Sequence, residues 1–227
     1  MFYKLSNIAT RETMEQEVSA VFKFPNIYKP NIVIDGTQES IVPIITSEAK
    51  ANIQFAIWGL LPDHFQDDWQ PYQKQHNTLN VQVSDITQES DLKSAKRCLI
   101  PVTGYFGFYN VQGEIRSYYN VNASEKPFCI GGIYNQLDDG FLTCSIIITK
   151  KQKKITSAEG INNLQPAILA PSQHDAWLNT QSTWGTALAC LEQPHGYTIN
   201  RYPTSNRLSI NNKVSNLCKV LGLDDAV

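Results

Sequence analysis

The sequence has no excess of positive charge. Its 227 residues include 19 lysines and arginines against 21 aspartates and glutamates, which gives a formal net charge of −2 at pH 7. Proteins whose overall charge attracts nucleic acid or an anionic membrane are normally basic. Any phosphate binding by this chain therefore has to come from a local patch. Charged residues make up only 18% of the chain and apolar residues 42%, a balance typical of a globular protein.

The sequence also lacks the patterns of membrane-inserted and secreted proteins. No stretch approaches the roughly 20 consecutive apolar residues that cross a bilayer. The first twenty residues contain no apolar segment of the kind found in signal peptides. We therefore expect a cytoplasmic protein that does not contact membranes.

The cysteines and histidines form neither a metal-binding nor a disulfide pattern. The four histidines are scattered, and the five cysteines, an odd number, are widely spaced without a C-x-x-C pair. Three of the cysteines lie in apolar runs, namely Cys98, Cys129 and Cys144. We therefore expect buried, reduced thiols, and neither a metal nor another cofactor.

Three segments have the pattern of short amphipathic helices. The first, residues 10–22, opens with Thr10, a residue type that caps helices. The other two are residues 171–179 and 212–222. Residues 63–78 are polar with aromatic interruptions, and this composition predicts an irregular loop.

Four segments predict β-strands, because they are rich in β-branched and aromatic residues and are bounded by turn residues. They are residues 51–62, 98–109, 126–134 and 141–149. Strands thus dominate the middle of the chain and helices flank it, with no repeat or linker between them. We predict an α+β fold with a curved, mostly antiparallel sheet, a barrel-like core and short flanking helices.

Five motifs follow one another along the chain. They are W-G-L-L-P at 58–62, N-V-Q at 80–82, C-L-I-P-V-T-G-Y-F-G-F at 98–108, P-F-C-I-G-G-I at 127–133 and I-N-N-L-Q-P-A-I-L at 161–169. In this order they resemble the SOS response-associated peptidase (SRAP) family, whose frame is W-G-L-[IL]-P, N-A-R-[SA]-E, C-L-I-P-x-D-G-F-Y-E-W, P-[YF]-x-I-x-G-[LI] and I-H-D-R-M-P-x-I-L. The resemblance predicts a single SRAP-like domain over residues 1–227.

The resemblance implies a specific chemistry. Members of the family shield abasic sites in single-stranded DNA. Removal of the initiator methionine frees an N-terminal cysteine, whose α-amine and thiolate attack the sugar aldehyde and close a thiazolidine. A carboxylate and a histidine move protons, an asparagine helps to position the chain end, and arginines grip phosphates.

Most of the reactive family residues are replaced in this chain. Phe2 stands at the cysteine position, Gly107 at the glutamate position and Asn162 at the histidine position, whereas Asn80 is retained. Phenylalanine has no nucleophilic atom, and its bulk disfavours removal of Met1, so we expect that methionine to remain. The combination predicts a member that does not perform the covalent reaction, with Phe2 filling the site as a core residue.

The residues at the positions that bind phosphates in the family are also changed. Lys4, Gln82 and Leu164 stand where the family has arginine, and only Lys4 keeps a positive charge. A lysine cluster follows the predicted strand that ends at Thr149, and it consists of Lys150, Lys151, Lys153 and Lys154. This cluster is either a solvated loop or a phosphate-binding patch. Any DNA binding should therefore be weak and have a shallow salt dependence.

Two retained residues each have two interpretations. Asn80 is either a turn residue that satisfies backbone groups or a retained ligand contact. Trp58 is either a core residue or a platform on which DNA bases stack. His76 and His174 lie near motif regions in polar stretches, and we do not expect either to replace the missing imidazole.

Three functions remain open at this stage. The first is non-catalytic binding of single-stranded or abasic DNA in the DNA damage response, which the resemblance favours. The second is a protein-interaction or structural module whose groove is filled. The third, which the replacements favour least, is an active cross-linking enzyme with a displaced nucleophile. The first two differ in whether Lys4, Asn80 and the lysine cluster line one open groove.

Overall fold

The computed structural model describes residues 2–88, 92, 94–150, 159–160 and 164–204. Within these residues there are five helices. They are α1 (Arg11–Val18), α2 (Trp69–His76), α3 (Val83–Gln88), α4 (Pro171–Trp177) and α5 (Trp184–Glu192). α4 confirms the helix expected within residues 171–179, whereas the helix expected at 212–222 lies outside the described residues.

The first predicted helix forms but is shorter than expected. Thr10 caps α1, since its side chain accepts a hydrogen bond from the backbone N–H of Thr13. The helix ends at Val18 because Ser19 adopts the left-handed conformation, with φ of 54°. The chain then becomes extended and forms the two-residue strand β2 (Val21–Phe22).

One sheet has six strands within the described residues. Their order is β15 (Ile199–Pro203), β9 (Glu114–Asn122), β8 (Gly104–Val111), β1 (Lys4–Asn7) and β3 (Asn31–Asp35), and β12 (Glu159–Gly160) pairs with β8. All of these pairings are antiparallel. The tight turn between β8 and β9 places Gln112 and Gly113 at positive φ, as short hairpin turns require.

The second sheet has nine strands within the same residues. Their order is β13 (Leu164–Pro166), β11 (Leu142–Lys150), β10 (Phe128–Gln136), β7 (Lys96–Val102), β4 (Ile41–Thr46), β5 (Asn52–Trp58) and β2, while β14 (Ile168–Leu169) pairs with β10 and β6 (Asn80–Gln82) with β11. β11 also pairs in parallel with β5. The strands β5, β4, β7, β10 and β11 therefore close a ring of hydrogen-bonded neighbours.

The strand expected over residues 98–109 is two strands in different sheets. The break is at Thr103, between β7 in the nine-stranded sheet and β8 in the six-stranded sheet. Both the backbone N–H and the side-chain hydroxyl of Thr103 donate to the carbonyl of Ser6, at 2.9 and 3.0 Å. These bonds hold β1 at the residue where the chain passes from one sheet to the other, and β1 consequently lies next to β8.

The irregular loop expected over residues 63–78 contains a helix, so that prediction is wrong in part. Helix α2 buries Trp69 and Gln73. The side chain of Gln73 bonds to both the backbone N–H and the hydroxyl of Thr78, at 2.9 and 2.7 Å. With so few buried positions, the helix has almost no apolar stripe, and it forms because tertiary contacts outweigh its weak pattern. Helix α5, which begins after the cap residue Thr183, was also not expected.

The predicted α+β class is confirmed, with two largely antiparallel sheets in place of one curved sheet. One buried cluster is shared by both sheets and contains Leu5 and Tyr105 together with Ile146. The neighbouring residue Ile147 belongs to a second cluster, with residues of α1, α3, α4 and α5. Because successive strand residues face opposite sides, these four helices cover the other face of the nine-stranded sheet. Within the described part of the chain, no helix is both long and apolar enough to cross a membrane.

Candidate functional site

The beginning of the chain is held by the side chain of Asn80. The backbone N–H of Phe2 donates to Oδ1 of Asn80 at 3.1 Å, and Nδ2 of Asn80 donates to the carbonyl of Phe2 at 2.9 Å. Asn80 is buried and begins β6, which runs beside β11. The amide thus satisfies both backbone groups of one residue, and a side chain with both a donor and an acceptor is required to do so.

The ring of Phe2 occupies the space beside Gly107. Phe2 is only 7% exposed and belongs to the cluster shared by the two sheets. Its ring meets that of Tyr105 edge to face, with the centroids 5.5 Å apart. A Cβ atom placed on Gly107 would lie 3.3 Å from Cε1 of Phe2. The structure therefore brings Phe2, Asn80 and Gly107 together, and it places Phe2 in the core.

Gln82 and Lys150 lie on the same face of the nine-stranded sheet as Asn80. In the pairing of β6 with β11, Asn80 is opposite Ile146 and Gln82 is opposite Ile148. Alternate residues of a strand share a face, so Lys150 projects to this side and Thr149 to the other. The side chains of Gln82 and Lys150 are exposed. Gln82 and Lys150 are therefore proposed DNA contacts whose side chains are exposed to solvent on the side of the sheet where Asn80 holds Phe2.

Leu164 is the described residue opposite Lys150 in the nine-stranded sheet. Leu164 pairs with Lys150 across β13 and packs partly buried against the shared cluster. Its side chain is therefore an apolar contact at the position to which the resemblance assigns an arginine. The remaining expected site residues lie outside the described part of the chain: Asn162, Lys151, Lys153 and Lys154.

The ammonium group of Lys4 already has an anionic partner. Its Nζ lies 3.4 Å from Oδ2 of Asp35 on the neighbouring strand β3. Burial raises the pKa of Asp35, but hydrogen bonds from Thr37 and the charge of Lys4 outweigh that effect and hold the pKa below its usual value. A phosphate at Lys4 would have to compete with this carboxylate.

Trp58 is a core residue and is not available for stacking on DNA bases. Its side chain is fully buried, and its Nε1–H donates to the carbonyl of Leu79 at 2.9 Å. This corrects the alternative in which Trp58 forms part of the nucleic-acid interface. The indole packs in the shared cluster because a buried tryptophan is stable once its single donor is satisfied.

The two histidines near the motif regions lie on different helices of the structure. His76 lies exposed at the end of α2, with its ring 4.4 Å from that of Tyr72. His174 belongs to α4, on the opposite face of the nine-stranded sheet from the shared cluster. Burial lowers the pKa of His174 below its usual value.

The described cysteines have the surroundings of structural thiols. Cys98, Cys129, Cys144 and Cys190 are all buried and unbridged. Burial raises the pKa of Cys129 to about 12 and also raises the pKa of Cys98 and Cys144. A thiol that stays protonated at neutral pH is a poor nucleophile, so these groups have the properties of structural cysteines. Among the residues that the structure describes, no three His, Cys, Asp or Glu side chains are grouped to hold a metal ion.

Several residues beside Phe2 were not expected from the sequence. Tyr109 and Asn120 are buried next to Gly107, and the hydroxyl of Tyr109 donates to Oδ1 of Asn120 at 2.9 Å. The guanidinium of Arg201 lies 4.8 Å from the centre of the Tyr109 ring. The alternation in G-Y-F-G-F-Y indicates that Tyr109 shares a face with Gly107. No signal in the sequence indicates Arg201, because its strand is brought here by long-range pairing.

The fold is shared with solved structures of other proteins. A protein from Bacteroides thetaiotaomicron has a TM-score of 0.76 and 22% identity, over 90% of this chain and 92% of that one. A protein from Bordetella bronchiseptica has a TM-score of 0.71 and 13% identity, over 89% and 99% of the two chains. A phage-related protein from the same organism has a TM-score of 0.63 and 14% identity, over 89% and 93%. A comparison with curated proteins finds no match.

At these identities, likeness to solved structures establishes the fold alone, and the family follows from a separate comparison. The model of the family described as SOS response associated peptidase matches residues 2–211. That span contains both sheets and the residues around Phe2, Asn80 and Gly107. The chain therefore belongs to the SRAP family, which relates it to the response to DNA damage.

Proposed function

We propose that this chain is a SRAP-family protein that binds single-stranded DNA without forming a covalent link to it. The observation that carries the proposal is the position of Phe2. Its backbone is bonded to Asn80 and its ring lies against Gly107, at the place that the family resemblance assigns to the reactive cysteine. The side chain at this place is a buried hydrocarbon ring.

The chemistry of these residues favours non-covalent binding. Closing a thiazolidine requires both an amine and a thiolate on the same residue, and phenylalanine has no thiolate. Proton transfer requires a carboxylate or an imidazole within hydrogen-bond reach, and Gly107 has neither. An imine with the α-amine of the chain would be reversible, because no neighbouring thiol traps it.

The expected DNA binding is weak. Of the positions proposed to contact phosphates, Lys4 is paired with Asp35, and Leu164 is an apolar contact. Gln82 and Lys150 are exposed on the face that also carries Asn80. With a net charge of −2, the chain gains no long-range attraction for DNA.

A second candidate is a protein-interaction module whose groove is filled. It is favoured by the burial of Phe2 and by the Lys4–Asp35 ion pair, which together leave less open and less cationic surface at the site. This candidate predicts no affinity for single-stranded DNA at any ionic strength. The cytoplasmic location expected from the sequence remains a prediction under both candidates.

A binding titration separates the two candidates. Single-stranded oligonucleotides with and without one abasic site are titrated with the protein at several salt concentrations, and the same samples are run on denaturing gels. We expect salt-sensitive binding to both oligonucleotides and no adduct that survives denaturation. A stable adduct would overturn the non-covalent proposal, and absence of binding at low ionic strength would favour the protein-interaction module.

A further inference from the structure

The six-stranded sheet presents a row of side chains on the face where Phe2 packs. Tyr105 on β8 pairs with Asn120 on β9, and Asn120 pairs with Arg201 on β15. Paired residues in adjacent strands project to the same side, so these three side chains form one row across the sheet. Tyr105 contacts the ring of Phe2. Arg201 therefore lies on the face of the sheet against which Phe2 packs. Its strand, β15, is separated by β9 from β8, the strand whose Tyr105 contacts Phe2.

Two aromatic rings follow on the same face, Tyr118 in the next row and Tyr109 in the row after it. Tyr118 pairs with Gly107, and its ring meets that of Tyr109 edge to face, with the centroids 5.4 Å apart. The guanidinium of Arg201 stacks over Tyr109 at 4.8 Å. Tyr118 is partly exposed, whereas Tyr109 is buried. The cation of Arg201 and the accessible ring of Tyr118 thus both adjoin the ring of Tyr109, which lies next to Gly107.

The positions of these side chains are fixed by a buried amide. Nδ2 of Asn120 donates to the carbonyls of Tyr105 and Tyr118, at 3.1 and 3.3 Å, and its Oδ1 accepts from Tyr109 at 2.9 Å. Every polar atom of the Asn120 side chain is thereby used. The ring on which Arg201 stacks is held in place before any ligand arrives, which lowers the entropy cost of binding.

The charge of Arg201 is not compensated by any side chain that the structure describes. Among those side chains, no carboxylate lies within ion-pair distance of its guanidinium, in contrast to Arg116, which bonds to Glu114 at 2.7 Å. Lys4 is likewise paired with Asp35. A partly buried, stacked guanidinium has its five N–H donors in a fixed plane, which suits the oxygens of a phosphate.

We propose that Arg201 contacts a backbone phosphate of single-stranded nucleic acid and that Tyr118 stacks on an adjacent base. This inference rests on the proposed DNA-binding function and specifies where the strand is held. It assigns the main phosphate contact to Arg201 on β15 instead of to the positions of Lys4, Gln82 and Leu164. Single-strand binders commonly combine a cationic side chain with an aromatic platform in this way.

The test uses fluorescence anisotropy of a labelled single-stranded oligonucleotide without abasic sites, at several salt concentrations. Arg201→Gln should weaken binding and reduce the magnitude of the log–log salt slope by about 0.7, the value for removal of a single phosphate interaction. Arg201→Lys should keep the slope, because it keeps the charge. Tyr118→Leu should weaken binding about fivefold or more with an unchanged slope, because stacking carries no charge.

A matched control uses the neighbouring compensated pair. The double change Glu114→Gln and Arg116→Gln removes one charge of each sign from the same hairpin and should leave the slope unchanged. Thermal unfolding of each variant checks that the fold is intact, and the Arg201→Lys variant keeps the test valid if Arg201→Gln lowers stability.

The outcomes distinguish the two proposals. If the wild-type protein binds and Arg201→Gln leaves both affinity and slope unchanged, this inference is overturned while the DNA-binding function stands. If the Glu114→Gln and Arg116→Gln double variant reduces the salt slope as much as Arg201→Gln does, the change in slope is not specific to Arg201 and the inference is again overturned. If the wild-type protein binds no single strand at low ionic strength, both proposals fail.

Discussion

The amide of Asn80 bonds to both backbone groups of Phe2, with its Oδ1 3.1 Å from the nitrogen and its Nδ2 2.9 Å from the carbonyl oxygen. The motif resemblance predicts that Asn80 is the residue of the family's reactive set that this sequence retains. It continues to position the beginning of the chain although the residue positioned there has no nucleophile. In this protein the asparagine therefore serves stability, and its contribution can be measured without any ligand.

Replacing Asn80 with alanine should lower the free energy of unfolding by about 2 to 6 kcal/mol. The change leaves the buried N–H and C=O of Phe2 without partners, and each orphaned group costs about 1 to 3 kcal/mol. Urea unfolding measures the change, provided that the m-value is unaffected. Gln82→Ala, at an exposed position of the same strand, is the control and should alter stability by less than about 0.5 kcal/mol. Equal effects of both changes would contradict the assignment.

Gly107→Glu should destabilise the wild-type protein by about 1 to 3 kcal/mol, because the new side chain overpacks against the ring of Phe2. Phe2→Cys removes that ring, so Gly107→Glu should cost less in the Phe2→Cys background. A double-mutant cycle in urea should then give a coupling energy of about 1 kcal/mol or more. Gly185→Glu is the control, since a Cβ at Gly185 meets nothing closer than 3.9 Å. Additive effects of the two changes would show that Phe2 and Gly107 do not share a space.

Phe2→Cys alone should not restore efficient cross-linking to abasic single-stranded DNA. The change supplies a thiol and permits removal of Met1, but position 107 still has no carboxylate to transfer protons. Denaturing gels after timed incubation with an abasic oligonucleotide measure the rate of adduct formation. Adding Gly107→Glu to Phe2→Cys should accelerate the reaction. A fast reaction of the single variant would show that proton transfer at this site does not depend on residue 107.

Lys4→Gln should lower stability at neutral pH, and the difference from wild type should shrink on acidification. The pKa of Asp35 is held below its usual value in the folded protein, so its contribution is present above the unfolded pKa and is lost as the pH falls through the folded pKa. The relevant window is therefore below about pH 4. The effect at neutral pH should be less than about 1 kcal/mol because both side chains are partly exposed. Unfolding midpoints measured from pH 3 to 7 test this, and a pH-independent difference would argue against it.

Replacing the four clustered lysines with glutamine should weaken DNA binding alike for all sequences. The changed residues are Lys150, Lys151, Lys153 and Lys154, and removal of each lysine–phosphate interaction should lower the magnitude of the salt slope by about 0.7. Anisotropy titrations with two oligonucleotides of different sequence measure both effects. If the quadruple variant binds like wild type, the cluster is a solvated loop, and Arg201 is left as the main phosphate contact.

Much of the fold could be predicted from local pattern. Thr10 and the spacing of Met14 and Val18 indicated α1, and the β-branched runs indicated the strands that became β5, β10 and β11. The division of residues 98–109 at Thr103 could not be predicted, since both halves are apolar and extended. It depends on the bonds of Thr103 to Ser6, almost a hundred residues earlier in the chain. Helix α2 was missed because its burial rests on Trp69 and Gln73 and gives no apolar stripe.

The sequence by itself determined the family frame, because motif order is a property of the chain. The replacement of the family's reactive residues at Phe2, Gly107 and Asn162 is a prediction from the resemblance of those motifs. It left open whether Trp58 stacks on bases or packs in the core, and only the tertiary structure decided that it is buried. Tertiary structure alone also paired Lys4 with Asp35 and brought Arg201 onto the face where Phe2 packs. These outcomes depend on pairing between distant strands, and local sequence patterns do not encode which strands meet.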